Sequence, residues 1–218
     1  MGEQQTVTAA RMKEIERAAN DAGLSYRQMM ENAGYQAFAE ITRRCPHPKT
    51  AAVFAGKGNN GGDGFVVARL LAAAGAQVRV VLVEGLPVTE DAAFEFMCME
   101  GIERWPIDEL GAKQEAELVA ADVVVDAVYG TGFHGALRPD GLRAADMMNR
   151  ASGLVCALDL PSGVNADTGE AAAGAVRAGL TVTFHARKQG QDAPAAAALC
   201  GEIVVADIGI TAALASRA

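Results

Sequence analysis

Short, almost wholly apolar runs alternate along this chain with stretches of helical length, and that alternation restricts it to a small set of folds. The runs are Ala51–Ala55, Val78–Val83, Val123–Val128 and Leu154–Leu158. Because they are apolar at nearly every position, not at every second one, they read as strands buried on both faces, the pattern of a parallel sheet. Between them Phe65–Ala74, Thr89–Met99, Lys113–Val119 and Gly141–Asn149 are long enough to be crossover helices. The expected fold class is α/β: a three-layer α/β/α arrangement around a mostly parallel central sheet, in a single domain spanning residues 1–218. Half the residues are hydrophobic, enough for one extensive core. Runs at Leu180–Phe184 and Glu202–Ala206 extend the sheet, in a direction the sequence does not fix.

Two helices precede the first strand. Thr8–Ala22 carries Met12, Ile15 and Ala19 on one face and closes at Gly23. Ser25 and Gln28 then form a capping-box signature, after which Met30, Ala33, Ala37, Phe38 and Ile41 trace an apolar stripe ending near Pro46. The alanine-rich segments Ala171–Ala175 and Ala193–Ala198 read as helix or loop.

The net charge of −8 argues against a nucleic-acid surface, which draws its affinity from Lys and Arg. No stretch reaches the length of a membrane span and no secretory leader is legible, so the expectation is a cytoplasmic protein with neither nucleic acid nor membrane as partner. Residues 1–6 match a loose N-myristoylation pattern but lack a basic cluster, and no anchoring is read from them. Cys45, Cys98, Cys156 and Cys200 lie far apart with no metal-binding spacing, and read as small buried hydrophobes in a reducing compartment.

The first strand-like run leads into Ala55-Gly56-Lys57-Gly58-Asn59-Asn60-Gly61-Gly62-Asp63-Gly64. Glycines allow a loop to adopt positive φ and lie flush against a ligand, and the amides opening the next helix are free to hold an anion. The two asparagines and the aspartate add acceptors that a phosphate does not need. Two further polar clusters follow later strands: Asp126-Ala127-Val128-Tyr129-Gly130-Thr131-Gly132 and Asp159-Leu160-Pro161-Ser162-Gly163. In an open parallel sheet the carboxyl ends of the strands share one edge, so all three clusters are expected to meet in one crevice. There Asn60, Asp126 and Ser162, with nearby carbonyls, form an oxygen donor set of low charge suited to a large monovalent cation such as potassium. The amides of the second Gly-rich turn, from Gly130 to Ala136, suit another phosphate group. Asp159 has no evident structural duty. Desolvation and the like charges of Asp63 and Asp126 are expected to move its pKa up, toward acid/base work.

These motifs, with Met29-Met30-Glu31-Asn32-Ala33-Gly34, resemble the NAD(P)H-hydrate epimerases, the YjeF N-terminal domain family, from about Met12 to Ile210. The resemblance implies a Rossmann-like fold and interconversion of the R and S forms of hydrated NADH and NADPH (NADHX and NADPHX) at C6 of the nicotinamide ring. It also implies a homodimer with one K+ per subunit. By motif, Asn59, Asn60, Gly61, Gly62 and Asp63, together with Gly130, Thr131, Gly132, Phe133, His134, Gly135 and Ala136, would contact the substrate. Asp159 would bind it and act as acid/base, and Asn60, Asp126 and Ser162 would ligate the cation. The chain is expected to lack a fused dehydratase domain and to depend on a separate ADP- or ATP-dependent NAD(P)HX dehydratase to complete repair.

The sequence departs from the family pattern at Phe184-His185-Ala186-Arg187-Lys188-Gln189-Gly190, where Arg187 replaces a proline, and Lys188 is left without an assigned role. His134 reads as a solvated loop residue outside the mechanism. Two other functions fit parts of the chain. Gly56-x-Gly58-x-x-Gly61, with Glu84 ending the next strand, matches the fingerprint of an NAD(P)-dependent oxidoreductase. Against that, hydride transfer gains nothing from Asn59, Asn60 and Asp63, and Glu84 reads most simply as a solvated strand end. Lys57 does not make a P-loop, since no Ser or Thr follows it. A noncatalytic scaffold is the third reading, and the intact set of Asn60, Asp126, Asp159 and Ser162 weighs against it.

Overall fold

The strands order the whole molecule. The structure is a computed structural model that describes residues 6–216, so the myristoylation-like pattern lies, but for Thr6, outside the described residues. Helices α1 (Ala9–Asp21) and α2 (Tyr26–Arg44) lead into β1 (Thr50–Ala55), α3 (Asn59–Ala73), β2 (Gln77–Leu82), α4 (Glu90–Met97) and β3 (Glu103–Pro106). Then follow α5 (Ala112–Val119), β4 (Val123–Ala127), α6 (Pro139–Asn149), β5 (Leu154–Leu158), β6 (Leu180–Phe184), α7 (Pro194–Cys200), β7 (Glu202–Ala206) and α8 (Ile210–Ala215). All seven strands form one sheet in the order β3-β2-β1-β4-β5-β6-β7. Every pairing is parallel, which fixes the direction of β6 and β7 that the sequence left open.

Alternation along each strand divides the core between two faces. Val53 and Ala55 of β1 pack with Met29, Ala33, Phe65 and Leu71 of α2 and α3, while Ala52 and Phe54 pack with Leu118, Ala144 and Met148 of α5 and α6. The three layers expected from the alternating runs are thus present. Two elements lacked a sequence signal. Edge strand β3 has charged residues and ends at Pro106, and α8 has only six residues.

The helix starts follow from local chemistry. The Thr8 side chain accepts from Arg11 N and that of Ser25 from Gln28 N, each capping an orphan amide. Ala171–Ala175 lies in the long β5–β6 connection, whereas most of Ala193–Ala198 belongs to α7. Cys156 and Cys200 are buried as expected, but Cys98 is exposed and Cys45 only partly covered; all four are free thiols. Among the described residues no helix is long and apolar enough to cross a membrane.

Candidate functional site

Strand β1 pairs with β2 on one side and β4 on the other, so the crossover connections diverge there and a crevice opens at the carboxyl ends. A cavity of about 460 Å³ occupies it, within the range of small-ligand sites. Its walls come from every expected cluster: Asn59, Asn60 and Asp63 after β1, Gly130, Thr131, Gly132 and Phe133 after β4, and Asp159 after β5. The convergence inferred from sequence therefore holds for these residues.

The Gly-rich run is not a loop, as the sequence suggested. Gly58 is the N-cap of α3, and Asn59 to Asp63 already form its first turns. None of the glycines from Gly56 to Gly64 has positive φ. They serve close packing instead: a Cβ on Gly61 would lie 1.9 Å from the Gly56 carbonyl oxygen, and one on Gly64 would lie 2.5 Å from the Ala127 Cβ. Gly61 and Gly62 are accordingly buried within the helix and do not line the cavity. What this packing delivers is a helix start pressed onto the sheet with no side-chain cap, since Gly58 has none to offer. The first amides of α3 are left for a ligand.

Asp126 and Ser162 do not themselves line the cavity. Asp126 is completely buried at the end of β4, and its two oxygens accept from Ser162 N at 2.7 Å and Ser162 Oγ at 2.6 Å. Ser162 Oγ in turn accepts from Tyr129 N at 2.9 Å, tying the β4 and β5 connections together. Among the described residues no basic side chain pairs with Asp126, and burial pushes its carboxyl up to about 6 against the pull of these donors. Asn60 approaches Gly130, and its buried Nδ2 has no hydrogen-bond partner.

Asp159 has more neighbours than the sequence suggested. It takes a left-handed φ of 68°, held by its N–H donating to Val182 O and by Gln191 Nε2 donating to its carbonyl at 3.0 Å. A non-glycine residue fixed in this region stores about 1–3 kcal/mol. Its Oδ1 accepts from the Lys188 ammonium, from Thr183 Oγ1 at 3.2 Å and from Phe184 N at 3.3 Å. Oδ2 accepts from nothing among the described residues, and the side chain keeps 11% exposure where it borders the cavity. The expected like-charge environment omitted Lys188, which is 1% exposed and also donates to Phe184 O at 2.9 Å. Lys188, without a role in the sequence reading, thus belongs to the site. Asp63 also stands well above its usual range, through burial first and then the charges of Asp159 and Glu16.

Glu84 is likewise not a solvated strand end. It sits past β2 with φ of 69°, paired with the Arg138 guanidinium and accepting from the Tyr129 hydroxyl. Burial, and then this bond to Glu84, push the Tyr129 phenol above its ordinary value. The later part of the second Gly-rich turn leads away from the cavity. His134, Gly135 and Ala136 are exposed and do not line it, and His134 Nδ1 lies 3.0 Å from Asn165 Nδ2. Helix α1, not included in any of the motifs, supplies Lys13 and Glu16 to the wall.

The YjeF-related protein N-terminus family matches residues 26–190. The chain is 40% identical over 213 residues to the bifunctional NAD(P)H-hydrate repair enzyme Nnr of Pyrobaculum aerophilum, covering 94% of this chain and 42% of that one. It is 39% identical over 202 residues to the enzyme of the same name from Coxiella burnetii, covering 92% and 40%. With the NAD(P)H-hydrate epimerase of Cenarchaeum symbiosum it shares 37% identity over 209 residues, covering 94% of this chain and 95% of that one. It therefore spans about two fifths of the bifunctional relatives and nearly all of the third. The crystal structure of yeast ynu0, YNL200c, superposes with a TM-score of 0.73 at 23% identity over 86% of this chain and 83% of that one, a likeness of fold. With the family matched over most of its length and relatives near 40% identity, this chain belongs to the YjeF-related protein N-terminus family.

Proposed function

We propose that this chain is an NAD(P)H-hydrate epimerase, interconverting the R and S forms of NADHX and NADPHX at C6. The observation that carries the reading is Asp159: Lys188 and two further donors fix one of its oxygens, and the other borders a nucleotide-sized cavity. The full-length similarity to the Cenarchaeum symbiosum epimerase supports it.

In this reading the uncapped amides at Asn59 and Asn60 and the turn from Gly130 to Phe133 receive the phosphates. Gly61 and Gly62 contribute through backbone packing, and His134, Gly135 and Ala136 would meet only the outer part of the ligand. Asp159 takes the proton of the C6 hydroxyl and returns it, the transfer that inversion of a carbinolamine carbon requires. Asn60, Asp126 and Ser162 would hold K+, one per subunit. A buried carboxylate with no basic partner fits a weakly charged cation, to which Asn60 would turn its amide oxygen. Bound there, the ion would supply fixed positive charge beneath the phosphate turn. A homodimer in the cytoplasm, handing one epimer to an NAD(P)HX dehydratase, completes the proposal.

The oxidoreductase reading is weaker, since both Glu84 oxygens already accept from Arg138 or Tyr129. The test is relaxation of epimer-enriched NADHX, followed by chromatography that resolves the epimers. The protein should speed the approach to the equilibrium ratio, and Asp159→Asn should abolish the gain. Full activity in that variant would remove Asp159 from the mechanism.

A further inference from the structure

Inverting C6 through an open-chain aldehyde needs a group that accepts the hydroxyl proton and another that supplies a proton to the departing nitrogen. Asp159, held against Lys188, is suited to accept. The motifs assign no group that supplies.

Glu16 occupies the place for one. It lies four residues after Met12 and three before Ala19, on the buried face of α1 where the helical period calls for an apolar residue. Its half-buried carboxyl lines the same cavity as Asp159 and Lys188. Among the described residues it makes no hydrogen bond and no ion pair, so no structural role accounts for an acid at this position. The helix is fixed against the site by a parallel bridge between Val7 and Lys188, with Val7 N donating to Arg187 O at 2.8 Å and Gln189 N donating to Val7 O at 3.0 Å.

We propose that Glu16 is a further catalytic residue, the general acid that works opposite Asp159; this rests on the epimerase reading. As the Asp159 carboxylate takes the C6 hydroxyl proton, the C6–N1 bond breaks, its electron pair goes to N1, and N1 takes the Glu16 proton. The resulting aldehyde turns about C5–C6. N1 then attacks the opposite face and returns its proton to Glu16, while the new C6 oxygen recovers the proton held by Asp159. All atoms and protons are restored, with C6 inverted.

The electrostatics agree with this division. Burial first, then Asp159, raise the Glu16 carboxyl, against Lys188 and Lys13. A carboxyl raised in this way, lining the same cavity as the acceptor, suits the role of acid. Asp63, facing the cavity from α3, stands well above its usual range, which suits a hydrogen-bond donor better than an acid that must give up its proton each turnover.

The experiment follows NADHX relaxation from pH 6 to pH 9 with the unaltered chain, Glu16→Gln, Glu16→Asp and Asp63→Asn. Glu16→Gln should lower kcat about 100-fold with little change in KM and remove the alkaline limb of the kcat profile. Glu16→Asp should keep that limb at reduced kcat. If the unaltered chain gives no acceleration, the epimerase reading falls and the role of Glu16 with it. Acceleration by the unaltered chain with Glu16→Gln within twofold of it would overturn the assignment alone. So would a higher KM at unchanged kcat, or loss of the alkaline limb in Asp63→Asn but not in Glu16→Gln.

Discussion

The Lys188 ammonium rests on Asp159 Oδ1, in a pocket where Lys188 is 1% exposed, and leaves Oδ2 without a donor from the described residues. The pair joins two strand ends: Asp159 directly follows β5, and Lys188 lies four residues past β6. It is also where α1 is anchored, through the bridge from Val7. A single ion pair thus orients the acceptor oxygen and organises one side of the crevice.

Lys188→Met should be strongly destabilising, because it leaves a buried carboxylate without its cation. Breaking such a pair costs about 3–5 kcal/mol, whereas removing both charges costs far less. Asp159→Asn/Lys188→Met should therefore recover much of the loss, read as a coupling energy from urea unfolding of the four proteins. Additive effects would show that the two side chains do not depend on one another.

The glycines of the α3 start should divide by surroundings. Gly61→Ala and Gly64→Ala push a methyl to 1.9 Å from a carbonyl oxygen and 2.5 Å from the Ala127 Cβ, and should lose about 1–3 kcal/mol or fail to fold. Gly58 has nothing within 4 Å of an added Cβ. Gly58→Ser should fold, gain about 0.5 kcal/mol by capping the free amides, and bind substrate more weakly by competing for them. A capped variant that gains stability and binds NADHX as well as the unaltered chain would show that those amides do not hold the ligand.

Much of this was legible in the sequence because burial on both faces leaves an unbroken apolar signature, as in Val123 to Val128. The crevice followed from it, since parallel strands send their ends to one edge. Local conformation was less legible. Asn59-Asn60-Gly61-Gly62 has poor helix propensity, yet it starts α3 because small residues let the helix press against β1 and β4. Lys188 could not be placed because its partner lies 29 residues away and only the folded sheet brings them together. Glu16 did leave a signal, an acid on the stripe of Met12 and Ala19, but an isolated acid in a helix resembles a solvated one until the neighbouring elements are known. The surroundings of Asp159 were incomplete in the sequence for the same reason, since Lys188 reaches it from another strand end.

A cation held by Asn60, Asp126 and Ser162 should appear in the melting temperature. At about ten times its Kd, a selectively bound ion adds about 1.4 kcal/mol, a rise of roughly 3–6 °C for a chain of this size. KCl should exceed NaCl at equal ionic strength, and Asp126→Asn should erase the difference. Equal melting temperatures in both salts would remove K+ from the proposal.

The raised carboxyl of Asp63 gives stability a definite slope with pH. Below about pH 4 the group is protonated in both folded and unfolded chains and contributes nothing. Above that the unfolded chain releases the proton while the folded one retains it, so stability falls as pH rises until the folded carboxyl also ionises. Asp63→Asn keeps the shape and removes the titration. Relative to the unaltered chain, its unfolding free energy should climb between pH 4 and pH 7, and the overall slope should shrink without vanishing, since Glu16 and Asp126 are raised in the same direction. Urea unfolding at three pH values measures the difference. A constant offset would mean that Asp63 titrates alike in both states and that its carboxyl meets the cavity as freely as it meets water.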